Sequence, residues 1–366
     1  MGNIFISTHA QDAHALAVKI ALERIGHKTL IWIGSNNPAH TLMTIEFESQ
    51  VDLIMSGNVG EYRLSDFDLI WWRTQMPASM PEGLHAGDRK CCEQEWADMY
   101  AAMRVAFRDD AVWINPWMGG ILAGMKTFQL KIARRLGLRV PQTRITNDPE
   151  RVREFSKQFR NGIVHKLQTA TAWTNSDRIA RSRTVRMTAA HLAKDAAIKL
   201  CPGVFQEYIP KAFEVRATFF GETCLAARLA SQDNLYGTCD WRSASPAELG
   251  VRPLELPKAI YDKCLSLMKQ LGITIGCFDF SVTPEGEYVF LEVNENGQFL
   301  WVEEMSPDIK MLSAFCNFID QKLPPHRTHR AFEIAFEEIR QSADFLQTIQ
   351  NFDCRIYDPL KKMGVY

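Results

Sequence analysis

The most constraining feature of this chain is the stretch from Gly276 to Glu303, GCFDFSVTPEGEYVFLEVNENGQFLWVE. Two apolar runs, Cys277 to Val282 and Tyr288 to Val293, flank Pro284-Glu285-Gly286. Strand-forming runs on either side of a Pro/Gly turn signal predict a β-hairpin. A tight loop at Glu285-Gly286 places Pro284 opposite Glu287, and the same register places Asp279 opposite Glu292. Side chains alternate along a strand, so Glu292 and Asn294 share a face that Asp279 joins across the ladder. Like charges directly opposite repel, so the arrangement calls for a cation between them. Two carboxylates and an amide oxygen are hard ligands that suit Mg²⁺ held against a nucleotide. The competing reading is a solvated hairpin with an acidic outer face, and the hairpin alone does not separate the two.

With 366 residues, 46% hydrophobic and 23% charged, the chain is long enough for two or three globular domains. A net charge of −1 gives no global field that would recruit nucleic acid or an acidic membrane. Nine scattered cysteines, without a CxxC, support neither a disulfide framework nor a zinc site, and a reducing cytoplasm is expected. The N-terminus turns polar after six residues and no apolar run reaches spanning length, so neither a signal peptide nor a membrane span is expected. His326 and His329 have a spacing open to metal on a helix, but they follow Pro324-Pro325 and read better as loop histidines.

The chain opens with a βαβ pattern: a strand at 3–7, a helix at 12–26 and a strand at 28–33, as in an α/β domain. Its first turn lacks GxGxxG, so dinucleotide binding there is not supported. A strand over 66–73 ends in Trp71-Trp72-Arg73; the tryptophans read as packing, whereas Arg73 at a strand end is a ligand candidate. A helix is expected over 93–108. Another is expected over 122–136, with Lys126 in its first turns, where backbone N–H groups favour anions. Lys166 sits inside an apolar strand run, GIVHKLQ, where an unpaired ammonium is costly and a phosphate would pair it. The segment 169–187 carries Arg178, Arg181, Arg183 and Arg186 and reads as a polar hairpin or flap, or else as a solvated face. A strand at 204–209 (VFQEYI), a hairpin turning at 221–223 and a helix at 258–271 lead to the opening hairpin. Residues beyond Pro325 read as an appended, mainly helical tail.

Lys126, Lys166, the QEYI strand, the EVR that follows, Asp279 and the ExN at 292–294 occur in one order at ligase-like intervals. Together they resemble the ATP-grasp superfamily, over roughly residues 1–320. The resemblance implies an α/β and α+β fold: an N-terminal α/β domain at 1–118 and a central ATP-grasp subdomain with the flap at 119–203. A C-terminal ATP-grasp subdomain at 204–323 and the helical tail at 324–366 complete it. It also implies ATP and Mg²⁺ as cofactors. Lys126 and Lys166 would hold phosphates, and the strand Gln206, Glu207, Tyr208 and Ile209 would meet the adenine, with Glu207 and the Ile209 backbone reading its edge. Glu214 would bind the ribose, and Arg216 would face the phosphate or acyl phosphate. Asp279, Glu292 and Asn294 would hold the metal.

Within that superfamily INP before Lys126, VPQTRITN at 140–147, ASQ at 230–232, DWR at 240–242 and LEVNENGQFLWVE resemble the graspetide synthetases. That family joins side-chain carboxylates of a leader-bearing ribosomal precursor peptide to hydroxyls or amines as lactones or lactams. The resemblance implies a precursor peptide as partner, a homodimer, and substrate contacts from Arg73, the four flap arginines, Asp240 and Arg242. Two departures stand out: the family's asparagine-proline-asparagine reads Asn294-Glu295-Asn296, and the tail has no counterpart. Two alternatives remain at this level: a ligase adding amino acids or amines to a peptide or protein carboxylate, and a silent ATP-grasp module that binds peptide only.

Overall fold

A computed structural model describes the chain except residues 11, 37, 39–40, 48–50, 58–59, 169–171, 176–177, 234–236, 324–330 and 352–366. For 172–175, 178–181 and 350–351 it describes the backbone alone. The chain forms two compact units. One holds residues 1–120, 273–275 and 310–351, the other 121–272 and 276–309.

The first unit begins with β1 (Asn3–Thr8), α1 (Ala13–Arg24) and β2 (Lys28–Ile33). Asp12 caps α1, accepting from the His14 and Ala15 backbone N–H groups at 3.1 and 3.3 Å. A meander of β3 (Thr41–Phe47), β4 (Val51–Gly57) and β5 (Gly60–Arg63) follows, then β6 (Leu69–Trp72), α2 (Ala86–Met103) and β7 (Val112–Ile114). The meander was not anticipated: half-buried strands there lack clean alternation. The strand expected over 66–73 is shorter, because Leu64–Asp66 forms a 3-10 turn. The helix expected over 93–108 starts earlier, where His85 caps its first turn. The parallel sheet runs β2-β1-β6-β7. Phe5 sits in its core between the rings of Phe67, Phe107, Trp32 and Trp72. Trp71 is buried against Phe315 at 4.8 Å, so these tryptophans do pack.

Instead of one helix over 122–136 there are two, α3 (Trp117–Gly124) and α4 (Lys126–Arg135), broken at Met125 with extended ψ of 100°. Lys126 is therefore the first residue of a fresh helix. The second unit continues with β8 (Thr143–Thr146), α5 (Pro149–Ser156), β9 (Ile163–Lys166), the hairpin β10 (Ala172–Asn175) and β11 (Arg178–Arg181), and β12 (Val185–Arg186). Next come α6 (Ala189–Leu192), α7 (Asp195–Leu200) and β13 (Gly203–Glu207). An antiparallel sheet, β12-β9-β13-β8, covers a small core of Val152, Phe155, Ile163, Ile198 and Phe205.

A second sheet is built from β14 (Phe213–Phe220), β15 (Thr223–Leu229), β16 (Arg252–Leu254), β17 (Ile275–Val282) and β18 (Tyr288–Asn294), in the order β16-β15-β14-β17-β18. Helix α8 (Lys258–Leu271) matches its expected span and stops at Gly272, whose φ of 70° suits a residue without Cβ. After α9 (Leu300–Met305) the chain returns to the first unit with α10 (Met311–Lys322), α11 (Phe336–Arg340) and α12 (Ala343–Asn351). These three pack on α1, where Arg24 meets Glu338 at 2.5 Å and His27 meets Asp320 at 3.0 Å. His326 and His329 lie outside the described residues. No helix among the described residues is long and apolar enough to cross a membrane.

The β17–β18 hairpin corrects the expected turn. Gly286 donates to the Thr283 carbonyl at 2.9 Å with φ of 84°, and Thr283 donates to Glu287 at 3.0 Å. The loop thus has three residues, and Thr283, not Pro284, faces Glu287. The ladder then pairs Val282 with Tyr288 and Phe280 with Phe290, one residue off the expected register. A bulge at Leu291 absorbs the difference, and Asp279 does face Glu292.

Candidate active site

The site grows from the bulge. Phe290 and Val293 are both core residues although three positions apart, which a regular strand cannot satisfy on one face. The extra residue at Leu291 turns Glu292 toward the opposite face, beside Asp279. From α4, Lys126 donates to Glu292. One turn on, buried Gln129 donates to the Val293 carbonyl at 2.8 Å and accepts from its N–H at 2.9 Å. Gln129 thus pairs with β18 as a strand would, and sets the start of α4 against Glu292. Burial pushes the Glu292 carboxyl up, but Lys126, then Lys166 and Arg242, outweigh it and hold it down at about 2.

On β14, Arg216 is buried and its Nη1 donates to both oxygens of Asp279, at 2.9 and 3.0 Å. Its Nη2 reaches the Gln298 carbonyl at 3.1 Å. The Nε–H of Arg216 is buried with no acceptor among the described residues, a donor left over for a ligand. Gly297 makes room for this guanidinium: a Cβ there would stand 2.7 Å from Nη2. Asn294, paired with Cys277, is exposed at the end of β18.

Lys166, at the end of β9, makes no hydrogen bond or ion pair among the described residues. Burial lowers its ammonium to about 8, Lys126 and Arg242 add to this, and Glu292 opposes it. Beside it Asp240 is buried, accepting from Thr184 N–H at 3.0 Å and from Arg242 Nε at 2.9 Å. Arg242 also lies 3.6 Å from Glu292. Asp240, Arg242, Lys166 and Glu292 line two adjoining cavities of about 70 and 300 Å³. The smaller is also lined by Gln206, Glu207, Tyr208, Ile209 and Glu214. Ile209, two residues beyond the end of β13, makes no backbone hydrogen bond among the described residues. Glu214 is buried and paired with Lys211 at 2.7 Å, and Lys211 also donates to the Cys239 carbonyl at 3.2 Å. Burial nonetheless keeps the Glu214 carboxyl above its ordinary value.

The remaining candidates differ in their surroundings. Arg73 belongs to the first unit, where it is buried in an ion pair with Asp12 and lies 5.3 Å over Trp71. Burial raises the Asp12 carboxyl, but Arg73 and His14 outweigh it and bring it to about 2. Arg183 is half-buried and lines the larger cavity. Arg186 is exposed, donates to the Asn161 carbonyl at 2.8 Å and covers the Tyr208 ring at 4.3 Å. The side chains of Arg178 and Arg181 lie outside the described residues; their backbone forms the β10–β11 hairpin.

Sequence reasoning missed Lys211, Gln129 and Thr184. The spacing Lys126-x-x-Gln129 puts both on one helix face, which was a usable signal. The donor set Asp279, Glu292 and Asn294 fits a hard divalent cation by chemistry and by ladder pairing. Among the described residues no three His, Cys, Asp or Glu side chains converge as a metal cluster. Arg216 and Lys126 already neutralise the two carboxylates, and both pairs must loosen for a metal to enter.

No family model and no curated protein matches the chain. Solved structures do. The macrocyclase MdnC of Microcystis aeruginosa MRC, bound with precursor peptide MdnA, is 27% identical, with a TM-score of 0.75 over 86% of this chain and 98% of that one. MdnB, a macrocyclase of the same organism, is 25% identical, with a TM-score of 0.73 over 87% and 99%. A Chryseobacterium gregarium RiPP-associated ATP-grasp ligase, in complex with ADP and a leader and core peptide, is 24% identical, with a TM-score of 0.79 over 91% and 100%.

Proposed function

We propose that this chain, which has the ATP-grasp fold and resembles the graspetide-type macrocyclases, is an ATP-dependent ligase acting on a ribosomal precursor peptide. It joins a side-chain carboxylate of the precursor to a hydroxyl or amine elsewhere on the same peptide. The observation that carries the reading is the ring of cations, Lys126, Lys166, Arg216 and Arg242, around the facing Asp279 and Glu292.

A carboxylate does not condense with a hydroxyl in water without activation. Phosphoryl transfer from ATP to the carboxylate makes an acyl phosphate, and phosphate then leaves as the hydroxyl or amine attacks. In such transfers the protein supplies alignment and charge stabilisation. Lys126 and Lys166 take the phosphates, and phosphate supplies the counter-charge that Lys166 lacks. Arg216 offers its orphan Nε–H to the transferring group. Glu207 at the end of β13 and the Ile209 backbone just beyond it meet the adenine edge, while Glu214 takes the ribose hydroxyls as its pair with Lys211 opens. Bound through Asp279, Glu292 and Asn294, Mg²⁺ would neutralise charge on the phosphates. Arg183, Arg242 and the flap arginines attract the precursor's carboxylates.

The site is proposed to work in the cytoplasm and in a homodimer. The exposed apolar stripe Trp117, Met118, Ile121 and Met125 supports a subunit contact, which light scattering would register. The function is tested by ADP release with the short peptide encoded beside the gene. ADP that appears only with this peptide supports the reading; ADP driven by a free amino acid or amine points to a tail-adding ligase, and none at all to a silent binder.

A further inference from the structure

A cavity of about 710 Å³ lies wholly in the first unit. Four consecutive residues of β2, Leu30 to Ile33, line it. Alternate side chains of a strand point to opposite faces, so a cavity touching all four runs along the strand's edge. That edge is open: β1 pairs one side of β2, and no strand pairs the other among the described residues. Its unpaired backbone groups are a template for a further strand. Leu16 and Ile20 of α1 and Met55 and Tyr62 of the meander supply apolar walls. Trp32 also lines the cavity; it is 5% exposed, and its indole N–H has no acceptor among the described residues. Lys19, Glu23, Arg24 and Asp344 on the lining balance in charge.

We propose that this recess binds an extended, uncharged, apolar segment of the precursor peptide, which adds to β2 as an edge strand. Peptide backbone satisfies the open ladder. Residues of α1, α12 and the end of the meander line the same recess, which is a groove for a single added strand. The balanced lining makes binding insensitive to salt, unlike capture of an acidic segment.

The inference rests on the peptide-ligase reading, but its test needs no ATP, so the two can fail separately. Full-length protein is mixed with acetyl-Thr-Val-Thr-Val-Thr-Val-amide, with the same peptide carrying two prolines, and with the gene-adjacent precursor. Hydrogen exchange of amides 28–33 and Trp fluorescence are followed. The proposal expects slowed exchange at 28–33 with the hexapeptide and the precursor, and at least ~10-fold weaker binding of the proline peptide, which cannot complete the ladder. Ser56→Trp, which fills the recess, should abolish both signals; Thr41→Trp at the rim serves if Ser56→Trp fails to fold. Unchanged exchange at 28–33, equal binding of the proline peptide, or undiminished binding in the filled variants would overturn strand addition. Protection by the hexapeptide but not the precursor would overturn the assigned occupant.

Discussion

A single nitrogen of Arg216, Nη1, holds both oxygens of Asp279, at 2.9 and 3.0 Å, across the neighbouring strands β14 and β17. In the proposed mechanism this pair presets charge: the guanidinium faces the transferring group and the carboxylate holds the metal. A buried pair of this kind is costly to break from one side, about 3–5 kcal/mol, because the other charge is left uncompensated. Its geometry depends on the backbone opposite.

Gly297→Ala tests that dependence. The new Cβ would lie 2.7 Å from Arg216 Nη2 and 2.8 Å from Cys277 Cβ. Overpacking of this kind costs about 1–3 kcal/mol. Thermal unfolding should shift down, and ADP production should fall further than the lost stability explains at the assay temperature. Full activity would show that Arg216 need not be held in place.

Gln129→Leu should leave the Val293 backbone unpaired, costing about 1–3 kcal/mol, and loosen the start of α4. Because Lys126 rides on that helix, KM for ATP should rise several-fold while circular dichroism stays unchanged. An altered melting temperature with an unchanged KM would make Gln129 a structural residue only.

Lys166 sets a pH dependence. Its folded value of about 8 lies below its ordinary 10.5, so the unfolded chain binds more protons between those limits, and stability rises with pH across that window. ATP affinity runs the other way: as pH rises through about 8 the ammonium loses its charge, and KM for ATP should climb. Lys166→Met should raise KM at pH 7, flatten this climb, and leave the protein no less stable than wild type. A KM–pH profile shared by wild type and variant would assign the titration elsewhere.

How much of this was legible in the sequence varies by residue. The facing of Asp279 and Glu292 was readable, but the turn inferred for it was one residue off, and the bulge at Leu291 restored the pairing. A bulge leaves a weak trace in sequence, here only core residues at odd spacing, Phe290 and Val293. Lys126 was recognisable from its helix, yet the break at Met125 that makes it the first residue was hidden in an apolar run. Lys211 was missed because its partners are Glu214 and the Cys239 carbonyl, and the latter comes from a distant loop. The parallel strands of the first unit were visible from their continuous apolar runs, the meander was not.

The four flap arginines are tested by charge and salt. Replacing Arg181 and Arg183 together by Ala should weaken precursor affinity at low salt, and the variant should lose less affinity than wild type as salt rises. One substitution alone is expected to change little, since an exposed pair contributes under about 1 kcal/mol. Equal affinities and equal salt slopes would make these arginines a solvated face.

The most direct test of the central claim counts ADP and weighs the peptide in the same reaction. Wild-type protein, Mg²⁺, ATP and the gene-adjacent precursor are incubated, with Glu292→Gln as the control. The precursor should lose the mass of one water for each ADP formed. In Glu292→Gln, with circular dichroism unchanged, turnover should fall by at least ~100-fold. A precursor that gains the mass of an added amine or amino acid, or a Glu292→Gln variant with near-normal turnover, would contradict it.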